Sequence, residues 1–215
     1  MNGRSLGVLG GTFDPIHYGH LDAAGAACAA LALDEVLFIP SHDPPHRPVD
    51  PLATPFHRFA MAALAVSGCD RYRVSDMELL RDGASYTVDT LRALHEQGWA
   101  ASQLFFILGA DAFAEVATWR DYPRVLDGAN FVVVARRGTT PEEAVARNPE
   151  LSARTSIILL NADTRDVSST LIRQRLRAGQ PIDDLVPAAV ARHILAHHLY
   201  GAVGRLHGED EHAGR

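Results

Sequence analysis

The chain has 215 residues, 47% of them hydrophobic and 21% charged, which is the composition of one or at most two soluble globular domains. A formal net charge of -6 and a pI near 6.0 exclude the basic face that nucleic acid or anionic membrane requires, and no run approaches the roughly 18 apolar residues of a membrane span. All 20 basic residues are arginine, so chemistry that needs a lysine is excluded: a P-loop, a Schiff base, a lysyl-nucleotide intermediate.

In chain order, Leu6-Gly7-Val8-Leu9 marks a buried first strand near 5–10, and the segment from Gly10 to His20, Gly-Gly-Thr-Phe-Asp-Pro-Ile-His-Tyr-Gly-His, follows it directly. Paired Gly10 and Gly11 let the backbone approach a ligand, and Pro15 stops the strand. His17 and His20 stand three apart where an Ala-rich helix over 19–32 begins. With Thr12 and Phe13 this is a phosphate cradle, its free N–H groups and positive helix end facing the ligand. Histidines at a helix start also serve as caps or carboxylate partners, and the adjoining glycines favour the phosphate role. A zincin site does not fit, because that pattern needs histidines four apart with an intervening glutamate.

The second strand, near 35–40, runs into Pro40-Ser41-His42-Asp43-Pro44-Pro45-His46-Arg47, and Thr54-Pro55 caps a helix over 55–67. Cys28 and Cys69 fit no metal spacing and read as buried free thiols in apolar helical patterns. A strand near 72–76 precedes Ser85-Tyr86-Thr87, which opens a helix over 87–97 that Gly98 ends. The strand near 103–109 ends in Gly109-Ala110-Asp111, which reads either as a strand stop with an aspartate N-cap or as backbone and carboxylate for a ribose and an adenine edge. A helix over 111–118 leads to Trp119, set among Arg120, Asp121 and Tyr122. A strand near 131–136, a helix over 141–148 and a strand near 155–161 follow. Then Val167-Ser168-Ser169-Thr170 caps a helix over 169–178 with Arg173 one turn inside, an anion site with a guanidinium in reach of a β- or γ-phosphate. The last helix, over 187–200, carries His193, His197 and His198, which approach metal spacing but lack a nearby carboxylate, so no metal-binding side chain is assigned. Residues 204–215 are small and polar and read as a disordered tail.

Strands apolar on both faces alternating with helices predict an α/β, Rossmann-like, doubly wound and mainly parallel sheet with helices on both faces and a C-terminal helical segment, a single domain over 1–203. In such a sheet ligands gather beyond the carboxyl ends of the strands, and each motif above lies at such an end.

These segments, together with Ser85-Tyr86-Thr87 and Trp119, resemble the bacterial nicotinate-nucleotide adenylyltransferases of the nucleotidyltransferase superfamily, over roughly residues 5 to 200. The resemblance implies transfer of AMP from ATP to nicotinate mononucleotide, giving nicotinate adenine dinucleotide and pyrophosphate on the way to NAD. It implies that His17 and His20 contact the ATP phosphates and stabilise the transition state, aided by Arg173. Gly10, Gly11, Thr12, Phe13, Gly109, Asp111, Ser168 and Ser169 would complete the ATP site, with Mg2+ carried on the phosphates. On the acceptor side stand Ser41, Arg47, Ser85, Tyr86, Thr87 and Trp119. An indole stacks well on a cationic pyridinium, and the helix start at Thr87 suits the ring carboxylate. Arg47 reads either as a phosphate ligand or as a solvated surface residue. Val167 stands where the family usually has isoleucine. The expected setting is the cytoplasm, without nucleic acid or membrane, and a homo-oligomer stays open. Two rival readings are a relative loading nicotinamide mononucleotide or phosphopantetheine, and a silent nucleotide sensor. Trp119 with Ser85–Thr87 speaks against a phosphopantetheine acceptor, and intact His17, His20 and Arg173 against the sensor.

Overall fold

The computed structural model describes residues 3–44, 51–135, 151, 154 and 156–202. Arg47, the helix expected over 141–148 and the tail expected over 204–215 lie outside the described residues. Six strands form one parallel sheet: β1 (Leu6–Gly11), β2 (Glu35–Pro40), β3 (Tyr72–Val74), β4 (Leu104–Gly109), β5 (Asn130–Ala135) and β6 (Ile157–Asn161), in the order β3-β2-β1-β4-β5-β6. The α-helices among the described residues are α1 (Tyr18–Leu31), α2 (Pro55–Val66), α3 (Thr87–Glu96), α4 (Ala110–Ala114), α5 (Ser169–Arg177) and α6 (Ala188–Ala196).

The doubly apolar strands sort into two cores by the period of two. Leu9, Val36, Phe38, Ile107, Val132 and Val134 face one layer, where Ala24 and Ala27 of α1, Met61 of α2, Ile172 of α5 and Ile194 of α6 cover them. Leu6, Val8, Ile39, Phe106, Leu108, Phe131 and Val133 face the other, under Leu91 and Leu94 of α3 and Phe113 of α4. Each such side chain contributes about 1.5–3 kcal/mol when fully buried, which is why these strands admit no polar face. The chain runs outward from β1 to β3, then returns to β4 on the other side of β1. The carboxyl ends of β1 and β4 therefore flank the switch in winding direction where a crevice opens.

Several expected features differ in detail. The helix expected over 111–118 stops at Ala114, because Glu115 leaves helical geometry (φ -99°, ψ 10°) and a 3-10 turn, Val116–Thr118, puts Val116 into the core. Gly109, not Asp111, is the N-cap of α4. The last helix stops at Ala196, since His198 is left-handed (φ 50°) and the turn Leu199–Gly201 folds Tyr200 inward. Cys28 is buried and free as expected, whereas Cys69 is free but only half-buried, because it lies beyond the end of α2. Thr54 caps α2 by accepting from the His57 N–H, and Gly98 (φ 96°) and Gly179 (φ 65°) follow the ends of α3 and α5 as expected.

Candidate active site

The Gly10–His20 segment turns at the end of β1 and delivers two imidazoles to the first turn of α1. His17 is its N-cap and His20 its third residue. The His17 N–H donates to Nδ1 of His20 at 3.2 Å, the two rings stack with centroids 3.7 Å apart, and Phe13 meets the His20 ring edge-on at 5.0 Å. An Nδ1 that accepts leaves the His20 proton on Nε2, the donor form that a phosphate oxygen needs. Two glycines shape this turn. A Cβ on Gly11 would stand 3.0 Å from the Phe13 ring, and one on Gly19 would stand 3.2 Å from the His17 ring and 3.4 Å from the Val167 carbonyl. Close packing within the turn thus adds a second reason for Gly11 beside the ligand approach expected from the sequence.

The second helix start arrives from the far end of the chain. Ser168 caps α5 by accepting from the Leu171 N–H, and the Ser169 hydroxyl donates to the Pro15 carbonyl at 3.0 Å. Arg173 donates to the Asp14 carbonyl at 2.7 Å and to the Thr170 hydroxyl at 3.2 Å, which uses two of its five N–H groups. The structure therefore brings His17, His20, Ser169 and Arg173 into one cluster. Gly109 ends β4 beside this edge, and Asp111 is exposed in the first turn of α4.

Residues that sequence reasoning missed hold this cluster in place. Asp14 is buried, and its carboxylate accepts from the Leu52 and Ala53 N–H groups and from the Tyr200 hydroxyl at 2.9–3.0 Å. Burial first, then the Asp14 carboxylate beside it, push the Tyr200 hydroxyl well above its ordinary value, so it stays a donor. Arg58 is fully buried and donates to the carbonyls of Thr12, Ser41, His42 and Ala53, tying the cradle to the loop after β2. Its signal was present: Arg58 falls in register with the buried Met61, Ala62 and Val66 on the apolar face of α2. Asp22 of α1 accepts a two-pronged contact from Arg165 at 2.8 and 3.0 Å and from its backbone N–H, and that guanidinium lies 3.8 Å over the Tyr18 ring. Nothing local in the sequence marks that pair, whose members are 143 residues apart.

A cavity at the start of α3 is lined by Ser85, Tyr86, Thr87, Ala112, Glu115, Trp119 and Arg120. Tyr86 is the N-cap of α3, so the Thr87 and Val88 N–H groups lie at a helix start that makes no internal bonds. Trp119 rests one side on the core, edge-on to Phe106 at 6.1 Å, and lines the cavity with the rest. The Phe106 ring also lies 3.6 Å from where a Gly10 Cβ would be, so one core side chain packs on both the cradle and Trp119. Arg120 stands 4.7 Å over the Tyr86 ring and 3.7 Å from Asp89. The Ser85 hydroxyl accepts from the His42 N–H at 2.9 Å and is also hydrogen-bonded to Glu78, whose pKa is raised by burial against the counter-pull of Thr90, Ser85 and Arg81. Ser85 thus lines the cavity with its hydroxyl already engaged. Ser41 is buried, and its hydroxyl has no hydrogen-bond partner among the described residues.

The cytidylyltransferase-like family model matches residues 8–175. A relative from Roseiflexus sp. (strain RS-1) is 46% identical over 93% of this chain and 100% of its own length, and one from Desulfitobacterium hafniense (strain Y51) is 41% identical over 92% and 96%. Both bear the name probable nicotinate-nucleotide adenylyltransferase. The solved structure of Plasmodium falciparum nicotinic acid mononucleotide adenylyltransferase complexed with NaAD superposes with a TM-score of 0.74 at 17% identity, covering 94% of this chain and 99% of that one, a likeness of fold.

Proposed function

The chain belongs to the cytidylyltransferase-like family and within it to the nicotinate-nucleotide adenylyltransferases, and on that premise we propose that it joins ATP and nicotinate mononucleotide into nicotinate adenine dinucleotide, releasing pyrophosphate. One observation carries the reading: a cradle with two stacked imidazoles and an arginine packs on the Phe106 ring, and the same ring packs against the tryptophan that lines a cavity. The first suits a triphosphate and the second an aromatic cation.

In this mechanism the ATP phosphates lie on the N-termini of α1 and α5, over Gly10 to Phe13 and Ser168 to Ser169. His17, His20 and Arg173 supply positive charge or donors where the α–β bridge gains negative charge. Gly109 and Asp111 take the adenosine end. The pyridine ring stacks on Trp119 for about 0.5–2 kcal/mol, and its carboxylate takes the Thr87 and Val88 N–H groups. Ser41, Tyr86 and Arg47 complete the acceptor side. An oxygen of the acceptor phosphate, already anionic, attacks the α-phosphorus in line. One P–O bond forms as the bond to the β-phosphate oxygen breaks, and the leaving pyrophosphate takes that electron pair. No side chain becomes a covalent nucleophile. Mg2+ enters with the triphosphate as part of the substrate; Asp14 is not its ligand, since its carboxylate is held by Leu52, Ala53 and Tyr200. The reading sets the enzyme in the cytoplasm, where ATP is made and used.

Steady-state release of pyrophosphate with Mg-ATP, compared between nicotinate and nicotinamide mononucleotides, is the test. Turnover with a higher kcat/KM for the nicotinate form is expected. No turnover with either overturns the activity, and a preference for the amide overturns the assignment of the carboxylate to the start of α3.

A further inference from the structure

Away from the cradle, where α2 packs on α6, three imidazoles converge. His57 lies in the first turn of α2, His193 in the last turn of α6, and His197 caps α6 one turn later. Nδ1 of His57 is 3.1 Å from Nε2 of His193, the ring centroids of the three are 4.4, 4.9 and 5.2 Å apart, and one nitrogen from each ring lies within 4.8 Å of the others. The sequence shows His193, His197 and His198 near metal spacing and sets them aside for lack of a nearby carboxylate. The fold supplies His57, 136 residues away from His193, and leaves His198 out of the cluster.

We propose that His57, His193 and His197 bind one divalent transition-metal ion of the zinc class, with solvent completing the coordination. Imidazole nitrogen suits zinc, nickel or copper and not the oxygen-seeking Mg2+ or Ca2+. Zn–N bonds of about 2.0–2.1 Å in a tetrahedron set ligand nitrogens roughly 3.3 Å apart. His57 and His193 already stand at that separation, and His197, the exposed member, closes on them by side-chain rotation. Burial first, then the neighbouring His197 and His57, hold the His193 pKa below its ordinary value and favour the neutral, ligating form. The hydrogen now shared between His57 and His193 moves to the distal nitrogen of its ring, so neutral imidazoles release no net proton on binding. The ion would clasp α2, which carries Arg58, to α6, which leads to Tyr200. Both of those residues hold the loop around Asp14.

The test is titration of the full chain, stripped with a chelator, with Zn2+ alone against a chromophoric competitor, and with Co2+ for its ligand-field absorption. One equivalent bound, tetrahedral-type Co2+ bands and a higher Tm are expected. His57→Gln, His193→Gln and His197→Gln should each weaken Zn2+ binding by roughly hundredfold or more, since even loss of an outer-shell partner costs about 10–100-fold. His198→Asn, at a left-handed position that asparagine tolerates, should leave affinity unchanged. Near-UV circular dichroism and cooperative unfolding identify the folded variants to be compared. Stoichiometric binding that survives in His57→Gln would put the ion elsewhere, the His17–His20 pair included, and overturn the proposal. Failure of the parent chain to take up an equivalent at micromolar Zn2+ overturns it equally.

Discussion

At the scale of single residues, the two reactive ends of the proposed site separate by what each can contribute. His20 has one nitrogen committed to the His17 N–H, and so presents a donor whose orientation is set before substrate arrives. A donor aimed at developing charge acts in the transition state more than in binding. His20→Ala is therefore expected to lower kcat about a hundredfold or more, near 3 kcal/mol, with a smaller change in KM for ATP. Equal kcat in the variant would remove His20 from the chemistry. Trp119 gives the ground state and transition state the same aromatic surface, so Trp119→Ala should raise KM for the pyridine substrate while kcat changes little. An unaltered KM would take Trp119 out of the acceptor site. Both residues were legible in the sequence, His20 from the glycine turn before its helix and Trp119 from a polar setting unusual for a core indole. Asp14 sits inside the same motif and was passed over, because its partners Leu52, Ala53 and Tyr200 are brought to it only by folding.

At the scale of elements, the parallel sheet was legible because every strand between two helical layers must be apolar on both faces, and runs such as 104–108 and 131–134 are. The ties between loops and helices were not legible, because they join residues far apart in sequence. The Asp22–Arg165 contact is one such tie, linking α1 to the segment that leads into α5. Burial raises the Asp22 carboxyl, but the side-chain and backbone hydrogen bonds from Arg165 outweigh it and leave the pKa below 3.8. A carboxylate depressed in the folded state stabilises the protein above its unfolded pKa, and that contribution is lost as pH falls through the folded value. Arg165 is half-exposed, so the effect is modest, about 1 kcal/mol or less. Asp22→Asn should accordingly lower the urea midpoint slightly at neutral pH, and the gap between variant and parent should close below pH 3.8. A gap that persists unchanged into acid would mean that the ionised pair is not what Asp22 contributes.

At the scale of the whole molecule, the site is assembled from both ends of the described chain, and its integrity depends on the last turn. The Tyr200 hydroxyl reaches across 186 residues to the Asp14 carboxylate, in a part of the core where water cannot replace it. A buried carboxylate that loses one of three hydrogen-bond donors keeps only the more distant Arg173 guanidinium, 3.9 Å away, as a further partner, and a hydrogen bond to a charged group contributes about 1.5–3 kcal/mol. Tyr200→Phe keeps the ring and its packing and removes only that donor. For a chain of this length a loss of about 2 kcal/mol corresponds to a Tm roughly 4–8 °C lower. Activity should fall less than in His20→Ala, because Arg173 is held by the Asp14 carbonyl and not by its carboxylate alone. Thermal unfolding and steady-state kinetics on the same preparation separate the two effects. An unchanged Tm would show that the C-terminal turn does not close the cradle. A kcat loss as deep as that of His20→Ala would show that Asp14 acts on the phosphates more directly than its buried position suggests.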